Sequence, residues 1–251
     1  MKPVSETATD AGESPSSMEP MLIAEGAARM EGLREQALEL SEAAAEFRGR
    51  LPATLREPLA ALVRSMNCYY SNLIEGHDTH PVDIERALND DYSNDPGKRA
   101  LQLEATAHIR VQRTIDEGHL TYHPLTPSGL AEIHARFCEH LPDSLLWVDD
   151  PKGGDPVRVV PGQWRDRDVA VDRHVPISTG AIPRFMERFA ARYSNLGRIS
   201  RLLAPACAHH RLLWIHPFID GNGRVARLMS HALLVESLRT GGVWSVVRAR
   251  P

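Results

Sequence analysis

The sequence predicts an all-α fold carrying one small β-hairpin. Three observations predict it. Apolar residues recur at three- and four-residue steps through most of the 251-residue chain. Helix start and stop residues bracket those stretches. One segment, Pro142–Pro176, breaks the pattern with frequent Gly and Pro and with β-branched runs.

Residues 1–20 are mostly Ser, Thr, Glu and Pro and read as a disordered tail. A helix is expected over Met21–Phe47, rich in Ala, Glu and Leu, ended by Gly49 and Pro52. A second should run from Thr54 to Ile74, with Pro58 in its first turn and Gly76 as its stop. Its residues Leu55, Leu59, Leu62, Val63, Met66 and Tyr70 make one apolar face. Further helices are expected over Val82–Leu88, Lys98–Glu117 and Ser128–His140, the last opened by Thr126 and Pro127. Val157–Val160 and Val169–Val171 read as the two strands of the hairpin. Helices return over Ala181–Tyr193, Leu202–Trp214 and Gly223–Arg239. Trp244–Pro251 starts a new apolar pattern and stops, as a frayed or truncated end would.

Composition excludes several classes. A net charge of −4 gives no global pull toward nucleic acid or anionic lipid, so a phosphate site must be a local arrangement. Three widely spaced cysteines, Cys68, Cys138 and Cys207, form neither a disulfide framework nor a CxxC metal site. No signal peptide and no apolar run of membrane length is visible, which makes a cytoplasmic protein without a membrane partner the expectation. His77 with His80, and Cys207 with His209 and His210, lack a tetrahedral partner set. His209 reads as a core histidine with a hydrogen bond. Trp147, Trp164, Trp214 and Trp244 read as packing anchors, and Arg198 and Arg201 as solvated charges. Ser65 and Ser71 lack the His/Asp context of a hydrolase nucleophile.

The chemistry concentrates in Ile215–Arg227. Pro217 disfavours helical geometry at His216, and a new helix begins near Gly223. Gly221-Asn222-Gly223 at a helix start presents backbone N–H groups and a positive dipole end to an anion. Arg224 and Arg227 share one face of the first turn, with guanidinium forks that match phosphate oxygens. Asp220 is a hard oxygen ligand suited to Mg²⁺, and His216 can accept a proton at neutral pH. Together these are the parts for attack of a hydroxyl on a phosphoryl group.

The run His216-Pro-Phe-Ile-Asp-Gly-Asn-Gly-Arg-Val-Ala-Arg227 resembles the signature of the Fic family and meets all its fixed positions. The resemblance implies a Fic-type helical bundle that moves AMP from ATP to a Ser, Thr or Tyr hydroxyl of a target protein. It implies His216 as base, Asp220 as Mg²⁺ ligand, Gly221, Asn222 and Gly223 as phosphate cradle, and Arg224 and Arg227 as triphosphate clamps. The stretch from Gly162, Gln163, Trp164 and Arg165 to Val171 resembles the family's flap, which would hold the target by strand addition. Ser71-Asn-Leu-Ile-Glu75-Gly76 resembles the family's inhibitory motif, in which Glu75 would occupy Arg227 and oppose a triphosphate. The domain reading is therefore a tail over 1–20, a helix over 21–50 and a Fic domain over 51–251. That domain holds the inhibitory helix 54–76, the flap 157–175 and the active-site loop 215–227. Two alternatives stay open: the same site run hydrolytically to remove AMP, and a non-catalytic nucleotide- or partner-binding module. Self-modification, another nucleotide donor and assembly into a homo-oligomer also stay open; no direct nucleic-acid partner is expected.

Overall fold

The computed structural model describes residues 9–149, 154–171 and 173–243. Among them are eight α-helices: α1 Met30–Arg50, α2 Ala53–Ile74, α3 Pro81–Leu88, α4 Pro96–Asp116, α5 Pro127–Cys138, α6 Ile182–Tyr193, α7 Arg198–Ile215 and α8 Asn222–Leu238. The all-α expectation holds, and the start signals act as the sequence suggests. Thr126 Oγ1 accepts from the Gly129 N–H at 3.0 Å, and Asp95 caps α4 through the Lys98 N–H at 2.8 Å. Gly129 is required: a Cβ there would lie 2.1 Å from the His123 carbonyl oxygen.

Helix α8 is the axis of the molecule. Val225, Ala226, Leu228 and Met229 are buried in one apolar core with Leu212 and Ile215 of α7, Leu130, Ile133 and Phe137 of α5, and Phe185 and Phe189 of α6. Helix α4 packs on its other side and carries α2 and α3. The α7–α8 corner is thereby clamped on all sides, which fixes the loop at 216–221. No helix among the described residues is long and apolar enough to cross a membrane.

Four expectations need correction. Residues 9–20 are not a free tail. The Asp10 carboxylate pairs with Arg184 at 2.6 Å and Glu13 accepts from Ser178, while Met18 and Met21 enter the main core. Two apolar anchors and two ion-pairing acids tie down a segment whose overall composition is polar. Helix α1 begins at Met30, because the chain turns at Ala24–Ala27 around Gly26. The hairpin is smaller and pairs differently: β1 Trp147–Val148 is antiparallel to β2 Val157–Arg158, and Val171 meets His174 in an isolated bridge. Val169–Val171 therefore does not pair with Val157–Val160. Finally, the apolar face of α2 points outward: Leu55, Leu62 and Met66 are exposed, and Arg64, Asn67 and Ser71 are buried. Trp244 and the abrupt end lie outside the described residues.

Candidate active site

His216 ends α7 in the left-handed region, at φ 52° and ψ 61°. Its N–H still closes the helix onto the Leu212 carbonyl at 2.9 Å. Pro217 then turns the chain, and Phe218 anchors the loop in the core, fully buried. A ring N–H of His216 is held by the Leu213 carbonyl, which leaves the other ring nitrogen as the lone-pair acceptor. Burial holds the imidazole down to about pKa 4, with the Glu75 carboxylate pulling weakly the other way. His216 is therefore neutral at physiological pH and able to take a proton.

Asn222 opens α8, with Gly221 before it at φ 77°. Its buried side chain clips the loop shut, accepting from the Phe218 N–H at 3.0 Å and donating to the Phe218 carbonyl at 2.9 Å. The Asn222 side chain is thus consumed in shaping the loop, so only its backbone N–H is left to serve an anion. No side chain caps α8, so its first-turn N–H groups have no capping acceptor and the positive end of the helix dipole lies there.

Asp220 precedes the start of α8 as an exposed residue, yet protein crowds its carboxyl. Burial raises its pKa, the Gly221 N–H bond opposes that rise, and the Glu75 field adds to it. No three His, Cys, Asp or Glu side chains converge among the described residues. One carboxylate beside a row of helix-start amides still fits Mg²⁺, which takes one or two carboxylates and completes its shell with water and phosphate oxygens.

Both arginines are engaged by carboxylates. Arg227 donates from Nε to Ser71 Oγ at 2.8 Å and pairs with Glu75 Oε1 through its terminal nitrogen. The Glu75 carboxylate lies directly against the first turn of α8, since a Cβ on Gly223 would come within 2.5 Å of Oε1. The Ser71–Glu75 end of α2 and the Gly-Asn-Gly start of α8 are thus in contact. Arg224 is more deeply buried and pairs with Glu104 of α4, beside His77 and over the Phe137 ring at 5.3 Å.

The flap residues divide. Gln163 is exposed. Trp164 packs on Phe218, ring centroids 4.8 Å apart. Arg165 is no target-facing residue but a buried strut. Its N–H bonds the Pro217 carbonyl at 2.8 Å, and its guanidinium donates to the carbonyls of His216 at 2.8 Å, Arg167 and Ile177. Gly162, at φ 74°, donates its N–H to Nδ1 of His134 at 2.8 Å.

His134 and Glu104 are functional neighbours that motif reading missed. His134 is buried and stacked on Phe218 at 4.0 Å, with Nδ1 on the flap and a second bond to the Asp220 backbone. The available signal was a histidine on the apolar face of α5, between Leu130, Ile133 and Phe137. Glu104 likewise interrupts the buried face of α4. His209 matches its expectation, bonding Ser230 Oγ at 3.0 Å. His77 lies beside Arg224 rather than in a metal set, and Arg198 and Arg201 lie at the start of α7.

Comparison with known proteins agrees with this geometry. Residues 124–234 match the model of the Fic/DOC family. Over 116 residues the chain is 35% identical to a protein from Drosophila erecta named protein adenylyltransferase Fic, and 34% identical to its counterpart in Drosophila melanogaster. Each match covers 45% of this chain and 20% of the relative, so the chain spans about a fifth of the length of those curated relatives. The fold resembles a Fic family protein from Desulfovibrio desulfuricans, at a TM-score of 0.64 and 17% identity over 84% of this chain and 60% of that one. It also resembles Fic-1 from C. elegans, at 0.61 and 19% identity over 82% of this chain and 57% of that one. Residues 124–234 thus resemble the Fic/DOC family domain, and the helical fold around them is that of Fic-family structures.

Proposed function

We propose that the chain is an auto-inhibited protein adenylyltransferase that moves AMP from ATP onto a hydroxyl of a target protein. The observation that carries the transfer is the neutral His216 beside the uncapped start of α8, with Asp220, Arg224 and Arg227 around it. The names of the Drosophila relatives support the donor and the reaction class. The contact of Glu75 with Arg227 and Gly223 supports the brake.

In this reading the lone-pair nitrogen of His216 takes the proton of the target hydroxyl, and the oxygen attacks the α-phosphorus in line. The bond to the pyrophosphate oxygen breaks, and pyrophosphate leaves. The first-turn amides of α8 and the guanidinium of Arg227 receive the charge that develops on the phosphoryl oxygens. Asp220 would hold Mg²⁺, which supplies charge neutralisation on the triphosphate. Arg165 and His134 fix the backbone that follows the histidine, at His216–Pro217 and at Asp220.

Incubation of the protein with α-labelled ATP, Mg²⁺ and candidate acceptors tests the proposal. Label is expected on protein hydroxyls, including the chain itself, once Glu75 is removed. His216→Ala in that background is expected to abolish it. ATP binding without transfer in every variant would leave a binding module instead.

A further inference from the structure

The helix that carries the proposed brake is turned inside out. At about 100° per residue, Ala60, Arg64, Asn67 and Ser71 fall on one side of α2, and Leu55, Leu62, Met66 and Leu73 fall on the opposite side. The first set faces α4 and α8 and is buried. The second set faces solvent, with exposures of 49%, 66%, 38% and 41%. Half-buried Leu59 and Tyr69 fill the gaps in the outer row, Tyr69 at its edge, where it also packs against the cluster of Cys68, Ile84, Ala105 and Ile109. The row Leu55, Leu59, Leu62, Met66, Tyr69, Leu73 steps by four, three, four, three and four. That is the seven-residue ladder of a helix–helix seam. An amphipathic helix normally buries such a row, so a continuous exposed one marks an interaction surface.

We infer that this row is the interface of a symmetric dimer, in which α2 packs antiparallel against α2 of a second copy. The row reads the same in both directions about Arg64. An antiparallel pair sets Leu55 against the partner's Leu73, Leu59 against the partner's Tyr69, and Leu62 against the partner's Met66. Every apolar side chain then meets an apolar one, as a two-fold contact requires. The flanking positions 56, 58, 63, 65, 70 and 72 hold a single charge, Arg56. In the antiparallel pair the two copies of Arg56 lie at opposite ends, so no like-charge barrier opposes self-docking. A charged partner helix would find no rail of opposite charge to select it. The seam is about 28 Å long. A single helix pair of that length sits at the low end of the area of stable interfaces, so a weak association, of order micromolar, is expected. This inference does not depend on the adenylyl-transfer reading.

Sedimentation velocity of the protein from 1 to 200 µM tests it. The wild type is expected to shift from monomer to dimer across that range. Leu62→Glu, at an exposed site, is expected to stay monomeric throughout, a loss of at least thirtyfold in association, with unchanged helix content and melting temperature. In a Cys207→Ala background, a mixture of Leu55→Cys and Leu73→Cys proteins should form a disulfide-linked pair under mild oxidation that neither forms alone. A wild type that remains monomeric at 200 µM, or a dimer of full strength in Leu62→Glu, overturns the inference. Cross-links within either single-cysteine protein that match the mixture overturn the antiparallel arrangement.

Discussion

Replacing Glu75 by glycine removes a carboxylate that is wedged between Arg227 and the first turn of α8. In the wild type, a triphosphate reaching that turn has to displace Glu75 from Arg227. It also meets a negative charge in the place its terminal phosphate would take. A charge-assisted bond to a partly buried guanidinium is worth about 1.5–3 kcal/mol. The Glu75 and Arg227 side chains are 30% and 16% exposed, so the lower part of that range applies. Repulsion between Glu75 and the phosphates, at about 5 Å and an effective dielectric near 20, adds about 3 kcal/mol before screening by solvent and Mg²⁺. A net 2–3 kcal/mol corresponds to roughly 30- to 150-fold in nucleotide affinity or transfer rate. Glu75→Gly is therefore expected to raise labelling from α-labelled ATP by at least tenfold and to tighten ATP binding in calorimetry. The bond between Ser71 and Arg227 Nε contributes about 1 kcal/mol to holding the arginine, so Ser71→Ala should give a partial rise of a few-fold. If Glu75→Gly left both ATP affinity and labelling at wild-type values, the proposed brake would be wrong.

Other outcomes follow from the same geometry. His216→Ala in the Glu75→Gly background should reduce labelling by at least a hundredfold while ATP affinity, read by calorimetry, stays within a few-fold. The second glutamate–arginine pair should behave oppositely to the first. Glu104 and Arg224 are 10% and 7% exposed, so Glu104→Ala strands a buried cation and is expected to cost about 3 kcal/mol without activating the enzyme. That corresponds to a fall of about 6–12 °C in Tm, read by calorimetry. Acid should destabilise the fold well above the carboxylate range. His108 and His134 are held neutral by burial, at about 3 and about 4, against 6.5 when unfolded. Below pH 6.5 the unfolded chain takes up protons that the native one refuses, so stability is lost as pH falls. At pH 5 the loss is about 2 kcal/mol per histidine, visible as a lower urea midpoint than at pH 7. A midpoint unchanged between those two values would refute this.

The candidate constellation was legible because it is local. His216, Asp220, the Gly-Asn-Gly turn and both arginines lie within twelve residues, and helix geometry alone brings them to one corner. Glu75 was legible through its motif, and its contact with Arg227 spans 152 residues. The supports were not legible, because they are tertiary. Nothing around Arg165 in sequence says that its guanidinium will hold the His216 carbonyl 51 residues away. Nothing near Glu104 points to Arg224. Asn222 carried a definite signal, but its side chain serves the loop and not the ligand. Periodicity found α2 and located its apolar face, but burial of that face is decided by what else the chain supplies. Here α4 and α8 offer Asp116, His231 and Arg227, which select the polar side of α2. The hairpin failed for a related reason. Two-residue strands carry too little alternation to fix their register from sequence.

The polarity of that inner face bears on how the proposed brake can work at all. Arg64 meets Asp116 at 3.0 Å, Asp116 meets His231 at 2.6 Å, and Ser71 meets Arg227 at 2.8 Å. A small cavity of about 30 Å³ lies among Ser71, His108, Gln112, Arg227 and His231. A helix held by apolar burial loses about 25 cal/mol for each Å² that it exposes, and water offers nothing in return. Hydrogen-bonded groups behave differently: water replaces each bond at a net cost of about 0.5–1.5 kcal/mol. In the single copy the Ser71–Glu75 end of α2 is held mainly by such replaceable bonds, with Leu73 and Ile74 in solvent. Lifting this last turn away from Arg227 therefore costs far less than unfolding the domain. At the other end, Arg64 is fixed between Asp116 and Glu57 and almost fully buried, a pair that is costly to break. Helix α2 is thus firmly rooted at Arg64 and loosely held at Glu75, an unequal attachment that would let Glu75 leave Arg227, as the proposed brake requires, while the helix stays docked.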